Sequence, residues 1–508
     1  MKKIIYTIFL SLCVLTACSD DFVQIENQNG ISEDRFLETA NQANQASVAM
    51  YHPISNHGLY RMGFLIFGDV TSDNIDNGGY GTGVLGNAIN GLADYNWDGS
   101  NKFLVNRWNA CYQGIARANY LIGKIDQVTD ISEGLRNQYL GEAYFMRAFY
   151  YYHLVIGFDE VPLITKTITS SAEANTVTKS SVEDIYNQII EDFKTASTLL
   201  PITPAVPEEF GRATKGAAFA FLSRVYLWTK DYQDAIDAAI EVEKLNKYAL
   251  VSTGDYAKLF DGRLENSSES IMEAQFVSGY NYWSEDQAET SQMQNMFPRV
   301  PWAQYWAVRK SDTYNVLNSF DDGDVRRSAS ILVAFEDMIE YPDAGVTSLF
   351  PDPNILDSWN SRFQDPISDK GNMQIRKYLP YNPSQWGGAQ APWQYTQINV
   401  PIFRYSEIFL NKAEAYIQMS DSENALKALE VVRTRAGLTM DDVPTDPTGV
   451  FEQIKNDRRN ELMFEGHRWF DLKRWGDLET VLTNAETKYN GQTKWPIPTQ
   501  ERDINPNL

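Results

Sequence analysis

Two stretches of this chain, about 190 residues apart, repeat one another. Residues 218–239 read AFAFLSRVYLWTKDYQDAIDAA and residues 408–429 read IFLNKAEAYIQMSDSENALKAL. Tyr226 aligns with Tyr416, Asp231 with Asp421, Ala235 with Ala425 and Ala238 with Ala428. Each stretch predicts a helix, a turn around the aspartate and a second helix. The alanines of the second helix let the pair pack closely, and the tyrosine fills the remaining gap.

This is the tetratricopeptide layout, and Ala143 to Leu154 resembles the first helix of a third such unit. Helical spacing recurs at Trp108, Tyr112, Ile115, Asn119 and Ile122. It recurs again over Leu135 to Ile156, where Ala143, Arg147, Tyr151 and Leu154 form one stripe and Gly157 is expected to stop the helix. A last helix is expected from Phe451 to Trp475, with Arg458–Glu461 and Glu465–Arg468 as i,i+3 pairs. The closing Trp495-Pro496-Ile497-Pro498 and Asn505-Pro506-Asn507-Leu508 predict an extended wrap over the surface.

Between the helical blocks lie two insertions of different texture. One, about residues 52–104, carries Gly58, Gly63, Gly68 and a glycine cluster at 78–86. The other, about residues 250–400, is rich in proline and holds half of the 12 tryptophans. The expected fold is therefore mostly α: a tetratricopeptide-like helical scaffold with large loop-rich insertions and a few short strands. Long insertions in a compact protein usually carry function.

The N-terminus reads Lys2-Lys3, an apolar run from Ile4 to Leu15, then Leu15-Thr16-Ala17-Cys18. A charged start, a run too short to span a bilayer and small residues before a cysteine look like a lipoprotein signal. The expected division is a signal peptide at 1–17, a lipid-anchored tether at 18–30 with lipid on Cys18, and helical regions at 31–250 and 251–508. Ser19-Asp20-Asp21-Phe22 resembles the acidic patch that follows the anchor in lipoproteins of the outer face of an outer membrane.

The formal net charge of −23 repels a polyanion at long range, which argues against nucleic-acid partners. Of the three cysteines only Cys111 remains once Cys13 leaves and Cys18 is acylated, so stability must come from packing rather than disulfides. His52, His57, His153 and His467 are too scattered for a zinc set. The glycine cluster lacks the lysine and following helix of a phosphate loop. The run Asp73 to Gly78 has the composition of a calcium loop but not its spacing, so no cofactor is expected, with calcium at this run as the alternative.

In order along the chain come Gly141-Glu142-Ala143 to Arg147-Ala148-Phe149-Tyr150-Tyr151, Ala213-Thr214-Lys215-Gly216-Ala217-Ala218 and Arg404-Tyr405-Ser406-Glu407-Ile408. They are followed by Arg458-Arg459-Asn460-Glu461-Leu462 and Phe464-Glu465-Gly466-His467-Arg468-Trp469-Phe470-Asp471-Leu472. In these blocks the chain resembles the SusD/RagB-like nutrient-binding outer-membrane lipoproteins. The resemblance implies a non-enzymatic cell-surface protein that binds oligosaccharides, or in some branches peptides. It also implies a partner, a SusC-like TonB-dependent transporter in the outer membrane. The acids and arginines of the blocks, with Glu407, Glu414 and Arg404, are read as a buried ion-pair network rather than an acid/base pair.

A glycan site needs flat aromatic faces for sugar C–H groups and planar polar groups for hydroxyls. Two stretches interleave both. The first offers Asp73, Asn77, Tyr80, Trp97 and Asn101, and in the family resembled here the corresponding segment commonly supplies ligand contacts. The second offers Tyr282, Trp283, Trp302 and Trp306. Trp386 and Trp393 are a third aromatic pair, facing ligand or transporter. The expected function is capture of a glycan at the cell surface and its delivery to the transporter. A peptide binder of the same family and a surface glycoside hydrolase are the alternatives.

Overall fold

A computed structural model describes residues 37–76, 84–206, 209–276, 307–311, 313–333, 373–378 and 398–508. Eleven of its helices organise the described protein: α1 (Ala40–Ala49), α2 (Val84–Ala93), α3 (Lys102–Lys124), α4 (Glu133–Phe158), α5 (Val182–Leu199), α6 (Lys215–Thr229), α7 (Tyr232–Lys244), α8 (Tyr405–Gln418), α9 (Ser422–Arg435), α10 (Pro447–Glu461) and α11 (Arg468–Trp475). Successive helices pack as neighbours, α3 on α4, α4 on α5, α6 on α7 and α8 on α9. Contact between α7 and α8 joins the two repeats despite their distance in sequence.

The repeats are alike in detail. Lys230 and Ser420 both turn the chain at φ +65°. Asp231 and Asp421 then donate their backbone N–H to the carbonyls of Tyr226 and Tyr416, at 2.9 Å in both. Ala235 and Ala425 are fully buried where the paired helices touch. One apolar core runs from Leu37 to Trp495, and a smaller one lies between α8, α9 and α10 around Leu410, Leu429 and Ile454.

Two expectations about helix ends are corrected. Gly157 does not stop α4, which continues to Phe158 and ends where Asp159 takes φ +60°. Gly157 instead clears space, because a Cβ there would overlap the Trp495 ring. The helix expected from Phe451 to Trp475 is two helices, α10 and α11, separated by a turn with Phe464 at φ +62° and Gly466 at φ +84°. Neither expected i,i+3 pair forms: Glu465 and Arg468 fall in and after the turn, and Arg458 and Glu461, though both in α10, take other partners. Arg458 bonds Asp471 (2.8 Å), and Arg468 bonds Asp73 (2.7 Å).

The broken helix serves a larger network, as the buried-ion-pair reading required. Arg404 is shared among Glu461, Glu465 and Glu269 at 2.7–2.8 Å. Arg224 grips Glu407 with two bonds of 2.8 and 2.6 Å, while Glu414 takes Arg474. These groups come from helices, strand ends and turns far apart in sequence, so the network ties the C-terminal elements to the rest of the scaffold.

The strands are short: β1 (Ile75–Asp76), β2 (Ser270–Ala274), β3 (Ala307–Val308), β4 (Ile331–Val333), β5 (Met373–Ile375) and β6 (Val400–Arg404). A four-stranded antiparallel sheet has the order β1-β3-β5-β4, and β2 pairs with β6 in a second, two-stranded one. The glycine-rich insertion is not loop throughout. It holds α2 and a helical segment at 63–70, and Gly68 lets that segment press against the backbone of Gly466, where any Cβ would collide.

Candidate functional site

The register of β1 and β3 sets the geometry of the candidate site. Asp76, the last residue of β1, lies directly opposite Ala307, the first residue of β3. Opposed residues of an antiparallel pair have Cα atoms about 4.5–5.5 Å apart. The segment that follows β1 and carries Asn77 and Tyr80 therefore starts beside the point where the segment carrying Tyr282, Trp283, Trp302 and Trp306 ends. Two stretches about 230 residues apart in sequence are rooted together on one sheet end. The six side chains themselves lie outside the described residues, as do Trp386 and Trp393.

The root is held by a polar clamp. Asp73, two residues before β1, is fully buried. Its carboxylate accepts from Arg468 Nε at 2.7 Å, Arg468 Nη2 at 3.0 Å and the Tyr314 hydroxyl at 2.5 Å. Arg459 Nη2 stands 3.0 Å away as a second cation. Burial alone would raise the carboxyl, but the Arg459 and Arg468 guanidiniums outweigh it and hold Asp73 well below the ordinary carboxylate range. Arg459 also donates to Asn74 Oδ1 at 2.9 Å, and Arg309 of the β3 segment donates to the Asn74 and Ile75 carbonyls.

Beneath the clamp, Asp69 accepts from Asn74 Nδ2 (2.8 Å) and from the backbone N–H groups of Phe464 (3.2 Å) and Gly466 (2.9 Å). Desolvation dominates there and pushes its carboxyl up to about 7. The loop 69–76 and the turn between α10 and α11 are thus one bonded unit.

This arrangement corrects the first stretch. Asp73 was expected at the ligand, yet both of its oxygens are engaged by arginine and tyrosine, and a cation would have to displace two guanidiniums to reach it. Trp97 was expected there too. It is 6 % exposed, stacks on Tyr95 at 4.8 Å, meets Trp469 edge-on at 5.9 Å and donates Nε1–H to the Leu92 carbonyl at 2.8 Å. Asn101 caps α3, accepting from the Phe103 N–H and donating to the Ala88 carbonyl. In the described structure these three side chains build the floor of the region.

Arg459, Arg468 and Tyr314 were not singled out from sequence as partners of this stretch. Nothing local could have found them, since each lies at least 241 residues from Asp73. Among the described residues no group of three or more His, Cys, Asp and Glu side chains is arranged to hold a metal ion.

Comparison with known proteins adds the following. A family model described as the SusD family matches residues 227–508. A second, described as "Starch-binding associating with outer membrane", matches residues 31–227. SusD-like protein P25 of Formosa agariphila is 24 % identical over all of this chain and 98 % of its own length. A solved laminarin-binding SusD-like protein is 25 % identical, with a TM-score of 0.71 over 92 % of this chain and 98 % of that one. Surface glycan-binding protein A from Bacteroides thetaiotaomicron, solved with laminarihexaose, is 22 % identical with a TM-score of 0.74, covering 92 % of this chain and 99 % of that one. The last likeness is one of fold.

Proposed function

Since the chain belongs to the SusD family, we propose that it is a surface glycan-binding protein that captures an oligosaccharide or polysaccharide without cleaving it. The observation that carries this reading is the pairing of Asp76 with Ala307. It roots two segments rich in aromatic, Asn and Asp residues side by side on a sheet clamped to the helical scaffold. Segments that combine aromatic residues with planar polar ones have the composition that sugar recognition needs. The contacts are assigned to Asn77, Tyr80, Tyr282, Trp283, Trp302 and Trp306. The laminarin-binding relative supports a glucan as the first ligand to try.

The same reading places lipid on Cys18, the body of the protein at the outer face of the outer membrane, and a SusC-like TonB-dependent transporter as the partner that receives the glycan. Glycan binding to the purified protein tests the core of it. Laminarihexaose and a panel of other oligosaccharides should include a ligand that binds without release of reducing ends. Trp283→Ala and Trp302→Ala should lose that binding with unchanged melting temperatures. Binding of peptides instead of glycans would favour the peptide-binding branch, and release of reducing ends would establish a hydrolase.

A further inference from the structure

Most of the buried guanidiniums among the described residues face carboxylates. Arg224 has Glu407, Arg458 has Asp471 and Glu407, and Arg474 has Glu414 and Asp471. Arg107 on α3 is 2 % exposed, and among the described residues no carboxylate pairs with it. Its partners are neutral: the His153 carbonyl (3.0 Å), His153 Nδ1 (2.9 Å) and, at 3.4 Å, the Gly58 carbonyl. Three rings, of Phe67, Trp495 and Phe470, surround the guanidinium at 5.0–5.8 Å. Burial without a counter-charge pushes Arg107 down to about 10. A charge kept out of water is normally paired, because leaving it alone costs several kcal/mol.

A cavity of about 30 Å³ lies against this group, lined by Arg107, Arg224, Arg458, Arg474, His153 and His467 and by two carboxylates, Glu465 and Asp471, each already engaged by other cations. A water needs roughly 10–15 Å³ of probe volume, so the cavity has room for a water-sized particle. His153 accepts from Arg107 at Nδ1, which places its own proton on Nε2, facing the Tyr60 hydroxyl at 3.4 Å. His467 is half-buried, and neither of its ring nitrogens hydrogen-bonds another described residue. An imidazole N–H and an unneutralised guanidinium thus border one small polar space, and the other three arginines bring their own acids.

We infer that this cavity binds a monatomic anion, chloride, as the counter-ion of Arg107. Arg107 supplies the uncompensated charge and His467 a hydrogen bond. The ion would sit where α3, α4, α6 and the turn before α11 meet, a junction that otherwise depends on rings and on acid–arginine pairs already satisfied. Its role is structural, and the inference holds whatever ligand the surface loops take.

Bromide replaces chloride and scatters anomalously. Crystals of the wild-type protein soaked in sodium bromide should show one ordered peak in contact with Arg107 and His467. Surface bromides with none at this position, or density that fits only water, would overturn the inference. In solution, melting curves in sodium chloride and in sodium gluconate of equal ionic strength should differ by a saturable rise of about 1–3 °C in chloride. Superimposable curves would also overturn it. Arg107→Gln should abolish the chloride-dependent rise. Should that variant not fold, His467→Leu should reduce the rise, and the bromide experiment on the wild type decides alone.

Discussion

Arg468 holds the Asp73 carboxylate through two hydrogen bonds of 2.7 and 3.0 Å across 395 residues of chain. This pair bolts the strand that starts the candidate site to the helix that closes the scaffold. The clamp completes itself with Arg459 and Tyr314.

Asp73→Asn should destabilise the protein by about 2–4 kcal/mol, because it leaves two partly buried guanidiniums without their shared, fully buried anion. Tyr314→Phe removes one hydrogen bond to the same carboxylate and should cost only about 0.5–1.5 kcal/mol. Urea unfolding of both variants checks the order. Equal losses would mean that the charge contributes nothing beyond a hydrogen bond.

Trp97→Ala should lower stability by about 3–5 kcal/mol, the cost of emptying a packed indole site between Tyr95 and Trp469. Glycan affinity of the fraction that stays folded should match wild type. Calorimetric titration beside a thermal melt separates the two effects, and loss of affinity at full stability would return Trp97 to the ligand.

Gly157→Ala should cost about 1–3 kcal/mol or more, since the added methyl would overlap the Trp495 ring. The loss should come with a changed tryptophan environment, because Trp495 also stacks on Trp469 at 5.8 Å and its backbone N–H donates to the Gly157 carbonyl. Denaturation followed by fluorescence reads both.

Glu265 offers a pH test. Desolvation raises its carboxyl to about 7, the Asn399 N–H that donates to it works the other way, and the nearby Glu273 adds to the rise. An acid raised in the folded state contributes stability below its unfolded value of about 4.3, and that contribution is lost as pH climbs toward the folded value. Glu265→Gln keeps an acceptor without the titration. Its stability relative to wild type should therefore increase between about pH 5 and pH 8 and level off above. A difference independent of pH would show that Glu265 ionises normally.

Much of this protein follows from its sequence read locally. The two repeats predict their helices, the turn at Asp231 and Asp421, and the buried alanines, because helical periodicity and turn chemistry act within a few residues. The acids of the C-terminal blocks are legible as structural because they alternate with arginines on helical segments.

The candidate site is legible only as composition. Asp73 and Trp97 have the residue types a glycan wants, and nothing within twenty residues of them says that they are buried. That was decided by Arg459, Arg468 and Trp469, which arrive from the far end of the chain. The same applies to the break between α10 and α11. Residues 451–475 have the periodicity of one helix, but Glu465 leaves it to meet Arg404 and Lys377, and the Phe464 and Gly466 N–H groups turn to Asp69. Sequence by itself determined which segments are helices and which pairs of them match. Tertiary structure decided which polar and aromatic side chains remain for a ligand, because burial is a property of partners brought together by folding rather than of neighbours along the chain.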